Sequence, residues 1–461
     1  MLTAEKRDRM LGEESMGRLL ARLSIPATVG MIVGATYNVV DTIFIGRGVG
    51  ALAIGGLTIS FPIQMFLMGI ALMIGLGTAS VVSRNLGAGN TERAYTAAGN
   101  AFSVSVIVGL IVMILGLLFL EPLIYLFGAT DSLAGYANEY LSVILLGSVF
   151  MSFSMSSNNV ARAEGNATVA MLSMVIGMGM NIILDPIFIF GFKMGIRGAA
   201  FATIISQFLS FLWLIIYFTG GRSSLHIKLK HLIPDFKVLG EIFTLGVPAF
   251  IRHLGATVLA TVLNNTLRIY GGDMYIATAG VINRLMAFAL MPLFGLAQGF
   301  QPIAGFNYGA KKIARVKESL KLTLSIGTLI SIFFFLIMML FPAFLMRFFT
   351  TEQEMITIGK TALRIVVFAM PLVGLQVLGA TYFQAVGKAL PSIILGLSRQ
   401  VLFLIPLAVL LPLAFGLNGV FYAFPTADIL ATIVTGLWLI FDVRTLNREL
   451  SAAEPVPEIS A

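Results

Sequence analysis

Residues 53–83 read AIGGLTISFPIQMFLMGIALMIGLGTASVVS, a run of 31 residues without one charged side chain. About 20 apolar residues in a helix are enough to cross the hydrocarbon core of a bilayer. Over the whole chain of 461 residues, 58% are hydrophobic and 11% are charged, whereas about 25% are charged in a typical soluble domain. A water-soluble fold cannot bury so much apolar surface. The sequence therefore predicts an integral membrane protein and excludes a soluble enzyme.

Twelve apolar stretches are long enough to cross the membrane. They are continuous rather than alternating in polarity, which predicts helices and excludes a β-barrel. The predicted spans, numbered 1 to 12 in chain order, are residues 25–46, 53–83, 95–120, 136–158, 168–190, 196–219, 241–267, 275–306, 318–343, 357–383, 390–414 and 418–442. The sequence thus predicts an all-α polytopic membrane protein. The charged residues before span 1 lack the apolar segment of a cleavable signal, and we expect them to form an amphipathic cytoplasmic helix.

Lysine and arginine are distributed unequally between the two sets of connections. The set that includes both termini holds 19 of them and the opposite set holds 5. Basic residues favour the cytoplasmic side, so both termini are predicted to be cytoplasmic and the protein to lie in the cell membrane. The net charge of +8 is explained by this topology, and no nucleic-acid partner is expected.

The predicted domain organisation follows from the central connection. Residues 220–238 are basic and form the longest loop, so we interpret them as a cytoplasmic linker. They separate an N-lobe, residues 1–219, from a C-lobe, residues 239–443. Residues 444–461 are polar and contain proline, which predicts a disordered cytoplasmic tail.

The two halves are repeats of each other. Gly77…Asn85-Leu86-Gly87-Ala88 aligns with Gly299…Asn307-Tyr308-Gly309-Ala310 at an offset of 222 residues, and the same offset brings Pro26 onto Pro248. Because each repeat has six spans, both begin on the same side of the membrane and are parallel repeats. This predicts two pseudo-symmetric six-helix bundles around a V-shaped central cavity, an arrangement suited to alternating access.

Two acids lie inside predicted spans of the first half. Asp41 in span 1 and Asp185 in span 5 are each about five residues from the outer end, so both lie about 8 Å below the membrane edge. A charged side chain inside a span costs about 2.5–3.5 kcal/mol and needs a functional or structural reason. The repeat offset places Leu263 and Leu407 at the equivalent positions, so scaffold symmetry does not explain the acids. Asp428 in span 12 is a weaker third candidate.

Neutral oxygen atoms are predicted at the same depth. Asn181 lies one turn before Asp185, Thr203 in span 6 falls near the same level, and Pro186 frees a backbone carbonyl in span 5. Asp41, Asn181, Asp185 and Thr203 are therefore a possible set of Na⁺ ligands, and the two carboxyl groups are equally suited to sharing and releasing a proton. The residue types leave both ions open. Interhelical hydrogen bonding is the alternative for Asn181 and Thr203.

Other side chains are expected to act in or beside the cavity. The predicted cavity residues are Tyr37, Asn158, Met174, Met178 and Arg284. Packing is the alternative for Tyr37 and the methionines, a helix-end role for Asn158, and a structural partner role for Arg284. Arg399 in span 11 is expected near lipid headgroups, and Pro26 is predicted to act as a hinge in span 1.

The chain resembles the multidrug and toxic compound extrusion (MATE) transporters over essentially its full length. The resemblance rests on the two six-span repeats, on Pro26 and Asp41, on Asn181-Ile182-Ile183-Leu184-Asp185-Pro186, and on the repeated Asn-Leu/Tyr-Gly-Ala motif. It implies the DinF-like branch, whose functional acids lie in the first lobe. It also implies export of organic cations or amphipathic drugs in exchange for H⁺ or Na⁺. Spans 7 and 10, which carry the acids of the NorM branch, have no central acid here.

Two other function classes remain open from the sequence. A lipid or polysaccharide-precursor flippase of the same superfamily shares the two-lobed scaffold, although such proteins often have 14 spans. A membrane receptor or membrane-embedded enzyme is the second class, but no HExxH motif, and no GxSxG motif inside a span, supports catalysis. We therefore predict a secondary active transporter with no cofactor besides its coupling ion. Drugs and membrane lipids are the expected partners, and a monomer is the expected state.

Overall fold

The computed structural model describes residues 4–127 and 129–453, and their regular secondary structure is entirely helical. Among these residues, ten helices are long and apolar enough to cross a membrane, and two bent helix pairs bring the number of spans to twelve. The predicted all-α fold is confirmed.

The helices of the N-lobe follow the predicted order. Span 1 is Met16–Gly48, span 2 is Ala51–Gly87, span 3 is Thr91–Leu118, span 4 is Asp131–Leu146 with Ser148–Ala163, span 5 is Ala167–Pro186 continued by the π-helical segment Ile187–Gly191, and span 6 is Gly195–Thr219. A short N-terminal helix, Ala4–Glu13, precedes them, and Leu120–Leu126 follows span 3.

The C-lobe repeats this order after a 3₁₀ turn at Leu229–Leu232. Span 7 is Phe236–Tyr270, span 8 is Asp273–Gly309, span 9 is Ile313–Leu340, span 10 is Gln353–Val366 with Met370–Ala385, span 11 is Ala389–Leu397, Ser398–Leu404 and Ile405–Phe415, and span 12 is Leu417–Ala453. Pro342–Arg347 is a short helix after span 9. Residues 444–453 thus continue span 12 as helix, and the rest of the predicted disordered tail, 454–461, lies outside the described residues.

The repeat is visible in the shape of single helices. Span 4 bends by 54° where its two segments meet, and span 10 bends by 51° at its own break. The first break is at Gly147 and the second includes Ala369, so the two breaks are separated by the sequence offset. The halves are therefore structural repeats as well as sequence repeats.

Glycines let the two lobes approach each other closely. A Cβ atom on Gly77 of span 2 would lie 2.0 Å from the carbonyl oxygen of Ile242 in span 7. A Cβ atom on Gly246 of span 7 would lie 1.9 Å from the carbonyl oxygen of Met73. Small residues permit such backbone contact between membrane helices, so a side chain at either position would push the lobes apart.

The lobes meet at the end of the helices nearest the termini and part toward the opposite end. Gly295 of span 8 packs against Thr28 of span 1. Arg284 and Phe288 lie on the same helical face as Gly295, since they precede it by three and two turns, but both are exposed. The face that seals the interface near the termini therefore lines an open cavity further along, and the predicted V shape is present.

The N-terminal helix lies across the closed end. On the C-lobe side, Asn307 donates to the Leu11 carbonyl oxygen at 3.0 Å. On the N-lobe side, the Met10 side chain packs against Gly165, which follows span 4. Leu11 is fully buried, so the segment expected to be amphipathic does bury one face, and it contacts both halves of the protein.

Candidate functional site

The two intramembrane acids of the N-lobe meet. Asp41 is 8% exposed and Asp185 is fully buried, and their carboxyl groups lie within hydrogen-bonding reach of each other. The Oδ1 atom of each has no hydrogen-bond partner among the described residues. Buried polar atoms are almost always paired, and two ionised carboxylates in contact repel each other. The pair therefore needs a shared proton or a bound cation.

The contact follows from the packing of spans 1 and 5. Met174 and Met178 of span 5 fill the space beside Gly30 and Gly34 of span 1, each with an atom 2.9 Å from the position of a glycine Cβ. Both helices run in the same direction, and the acids follow the second of these contacts, Gly34 with Met178, by seven residues on each helix. Equal spacing on two parallel helices brings the carboxyl groups to one level.

The two methionines thus lie, half-buried, between the helices. Their predicted contribution to the cavity wall stays a prediction.

Asn181 and Thr203 complete one side of the acid pair. With its amide oriented to satisfy both neighbours, Asn181 donates from Nδ2 to Asp185 Oδ2 at 2.8 Å and accepts at Oδ1 from the Thr203 backbone N–H at 3.1 Å. The Thr203 hydroxyl donates to the Ala199 carbonyl oxygen at 3.0 Å. The four side chains proposed from sequence as an ion site therefore lie together, supplied by spans 1, 5 and 6.

Three further polar side chains surround the acids. Tyr37 lies beside the Thr203 side chain. Tyr140 of span 4 is 3% exposed and lies beside Gln64 of span 2. The sequence analysis missed Tyr140 and Gln64. The available signal was a polar side chain inside an apolar span, which needs a partner.

The remaining predicted residues lie elsewhere. Asn158 is in the second segment of span 4, is buried, and has an Oδ1 atom without a partner among the described residues. Arg284 is exposed on the opposite lobe. Pro26 lies inside the continuous helix of span 1. These three residues are therefore separate from the cluster around the acids.

The C-lobe acid is paired differently. Asp428 is 2% exposed and forms an ion pair with Arg399, which lies in the π-helical segment of span 11. The expectation that Arg399 contacts lipid headgroups is wrong, because its guanidinium compensates a buried carboxylate within the lobe. Asp428 therefore has a structural partner that Asp41 and Asp185 lack.

A third buried N-lobe acid lies between spans 4 and 5. Glu164 is fully buried and accepts hydrogen bonds from the Tyr217, Ser223 and Ser224 hydroxyls and from the Ser224 backbone N–H. Burial raises the pKa of Glu164, although these donors act in the opposite direction. This acid anchors the central connection beneath the N-lobe.

Comparison with known proteins identifies the family. The MatE sequence profile matches residues 26–187 and 248–410. These two regions coincide with the repeats and together make up more than half of the chain. The chain belongs to the MatE family. This MatE protein is therefore a multi-span membrane transporter of the secondary type and not an enzyme, as the sequence predicted.

Individual relatives resemble the MatE protein over nearly its whole length. Multidrug export protein MepA of Staphylococcus haemolyticus is 27% identical, over 94% of this chain and 95% of its own. The MATE multidrug transporter DinF-BH, whose structure was solved as a complex, is 42% identical, with a TM-score of 0.87 over 94% of this chain and 97% of its own. An outward-facing MATE family transporter of the MOP superfamily is 27% identical, with a TM-score of 0.90 over 96% and 99% of the two chains.

Proposed function

We propose that this chain is a cation-coupled multidrug efflux antiporter that exports organic cations or amphipathic drugs in exchange for H⁺ or Na⁺. Asp41 and Asp185 are the coupling groups, with Asn181 and Thr203 as neutral partners. The observation that carries the proposal is the contact of two buried carboxyl groups, each with an oxygen atom that has no donor among the described residues.

The direct contact of the carboxyl groups favours H⁺ over Na⁺. A proton between two carboxylates needs no other ligand, whereas Na⁺ needs several oxygen atoms around it. The amide of Asn181 turns a donor toward Asp185, which suits a carboxylate better than it suits a cation ligand. Na⁺ remains the second candidate, with Asp41, Asp185 and Thr203 as its ligands.

The drug-sized ligand belongs in the V-shaped cavity. One relative of this chain is named a multidrug export protein and another a multidrug transporter, which supports varied amphipathic substrates. Tyr37 from the N-lobe and Arg284 from the C-lobe are the wall residues that we assign to it. We place both termini in the cytoplasm because of the charge distribution, so this state of the cavity opens outward.

Transport requires the closed cytoplasmic end to open. Glu241 of span 7 accepts from Arg84 at 2.6 Å and from Arg93 at 2.7 Å, both in the opposite lobe. These ion pairs, the glycine contacts and the N-terminal helix form the cytoplasmic seal. An ion shifts the balance between the two states only by binding one of them better, and Pro26 in span 1 provides the point where the helix that carries Asp41 can bend.

Flux in proteoliposomes tests the function. The purified chain is reconstituted, a fluorescent organic cation is loaded, and an inward pH gradient or an inward Na⁺ gradient is imposed separately. We expect export with the pH gradient and little with Na⁺ alone. Export with the Na⁺ gradient alone would identify Na⁺ as the coupling ion. If no organic cation were exported under either gradient, the antiporter assignment would be overturned.

A further inference from the structure

A groove of about 280 Å³ lies on the outer surface of the N-lobe, between the start of span 5 and the end of span 6. Val169 and Leu172 form one side and Ile216 forms the other, with Trp213 and Tyr217 between them. Leu172 is 36% exposed and Ile216 is 48% exposed. The groove is therefore an apolar slot that is open to the surroundings of the protein, outside the drug cavity.

Two aromatic side chains hold the groove open. Trp213 donates from Nε1 to the Val169 carbonyl oxygen at 3.3 Å, which ties span 6 to span 5. The Tyr217 hydroxyl donates to Glu164 and accepts from Asn166 at 3.0 Å. Because both rings are fixed by hydrogen bonds, the slot is part of the folded structure. Tryptophan and tyrosine also mark the level of the membrane–water interface.

One cationic side chain lies at the polar end of the groove. Arg222 follows the end of span 6 by three residues and is exposed. It forms no ion pair with any residue that the structure describes. A guanidinium binds phosphate oxygens in a bidentate manner, and the cytoplasmic leaflet is the one that carries anionic lipid.

We propose that this groove binds an anionic phospholipid of the cytoplasmic leaflet. The lipid phosphate lies on Arg222, and one acyl chain lies along Val169, Leu172 and Ile216. The inference rests on the cytoplasmic placement of the termini proposed above, and it does not depend on the substrate or the ion assigned there.

Because of the position of Arg222, the bound lipid also affects the connection between the lobes. Ser223 and Ser224, the next two residues, hydrogen-bond to Glu164. A headgroup that holds Arg222 therefore also holds the connection between the lobes against the N-lobe. Anionic lipid is expected to stabilise the folded chain more than zwitterionic lipid does.

Tryptophan fluorescence gives a direct test. The chain has two tryptophans, so Trp438→Phe leaves Trp213 in the groove as the only reporter. Brominated phosphatidylglycerol added to the purified protein in detergent should quench Trp213 in a saturable manner and at lower concentration than brominated phosphatidylcholine. Arg222→Gln should weaken the binding of phosphatidylglycerol about fivefold, since one basic residue near an anionic lipid surface contributes about that factor to the affinity.

Matched variants separate this site from general surface charge. Lys228→Gln removes an exposed cation from the same connection and should leave quenching unchanged, whereas Ile216→Gln should weaken binding of both lipids. The proposal would be overturned if Arg222→Gln and Lys228→Gln lost phosphatidylglycerol binding equally, or if Arg222→Gln lost none. The proposal would also be overturned if a low concentration of inorganic phosphate prevented the brominated lipid from quenching Trp213. The site would then recognise a free anion rather than a lipid.

Discussion

Gly87 and Gly309 occupy equivalent places in the two repeats, and each lies against the backbone of the other lobe. A Cβ atom on Gly87 would be 1.9 Å from the carbonyl oxygen of Phe306, and one on Gly309 would be 2.0 Å from that of Arg84. Phe306 and Arg84 are themselves separated by the repeat offset. The closed end of the transporter is therefore a pseudo-symmetric contact between spans 2 and 8, with no room for a side chain at its centre.

Replacing either glycine should open this seal. Gly309→Ala places a methyl group inside van der Waals contact with a backbone carbonyl, so the lobes must shift apart. The chain has no cysteine, and Ser83→Cys, buried beside Gly305 in the same interface, provides a single reporter. We expect maleimide labelling of this cysteine to be faster in Gly309→Ala. Gly240→Ala is the control because nothing lies within 4 Å of its Cβ position. Equal labelling rates in the two backgrounds would show that the contact does not close the interface.

The acids should act as one unit. Asp41→Asn and Asp185→Asn each remove the shared proton or cation. Coupling free energies of about 1–3 kcal/mol correspond to affinity changes of about 5- to 150-fold. Gradient-driven export should therefore fall by about tenfold or more. The double variant should export no less than either single variant, since members of a unit are non-additive.

Asp131→Asn, at the exposed start of span 4, is the control for the loss of a carboxylate and should export normally. Asp428→Asn is less informative, because it leaves Arg399 buried without its partner, which is destabilising. If only one N-lobe variant loses export, a single-acid carrier replaces the coupled pair.

Pro26 should matter more than its repeat equivalent. Pro26→Ala restores a backbone donor inside span 1, so the helix should become straighter and no less stable. Export should fall because Asp41 lies on this helix. Pro248→Ala changes the equivalent position in the lobe without the acid pair and should reduce export less. Proteoliposome flux and thermal unfolding of both variants check this, and equal export in Pro26→Ala and wild type would leave Pro26 as a structural feature only.

Glu164 should give the folded state a dependence on pH. Burial raises its pKa in the folded protein, so the folded state holds this proton more tightly than the unfolded chain does. Stability from this group is therefore present at low pH and is lost as pH rises through the unfolded and then the folded pKa. Glu164→Gln removes the titration. The Tm of wild type minus that of Glu164→Gln should increase as pH is lowered from about 8 to about 5, and a constant difference would show that Glu164 titrates as an exposed carboxylate does.

Much of the candidate site was predictable because it depends on spacing along helices. Asp41 and Asp185 stood out as acids at matched depth in spans that run in the same direction. The equal distances from Gly34 to Asp41 and from Met178 to Asp185 were also present in the sequence. Tyr140 and Gln64 were not predictable in the same way, since their proximity to the acids depends on how spans 2 and 4 rotate about their axes. Lipid-facing and protein-facing sides of a span are both apolar, so hydrophobic patterning gives little information about that rotation.

The sequence by itself determined the membrane location, the twelve spans and the twofold repeat, because each depends on hydrophobic length or on residues at a fixed offset. The tertiary structure alone decided which buried charges have partners. Arg399 and Asp428 come from spans 11 and 12 and neutralise each other, whereas Asp41 and Asp185 meet as like groups with no cationic side chain paired to them among the described residues. From the sequence alone, the free-energy cost of placing a carboxylate inside a span is the same whichever group lies opposite it. Only the packing of helices determines whether that cost is offset by an arginine or is left without a cationic partner among the described residues.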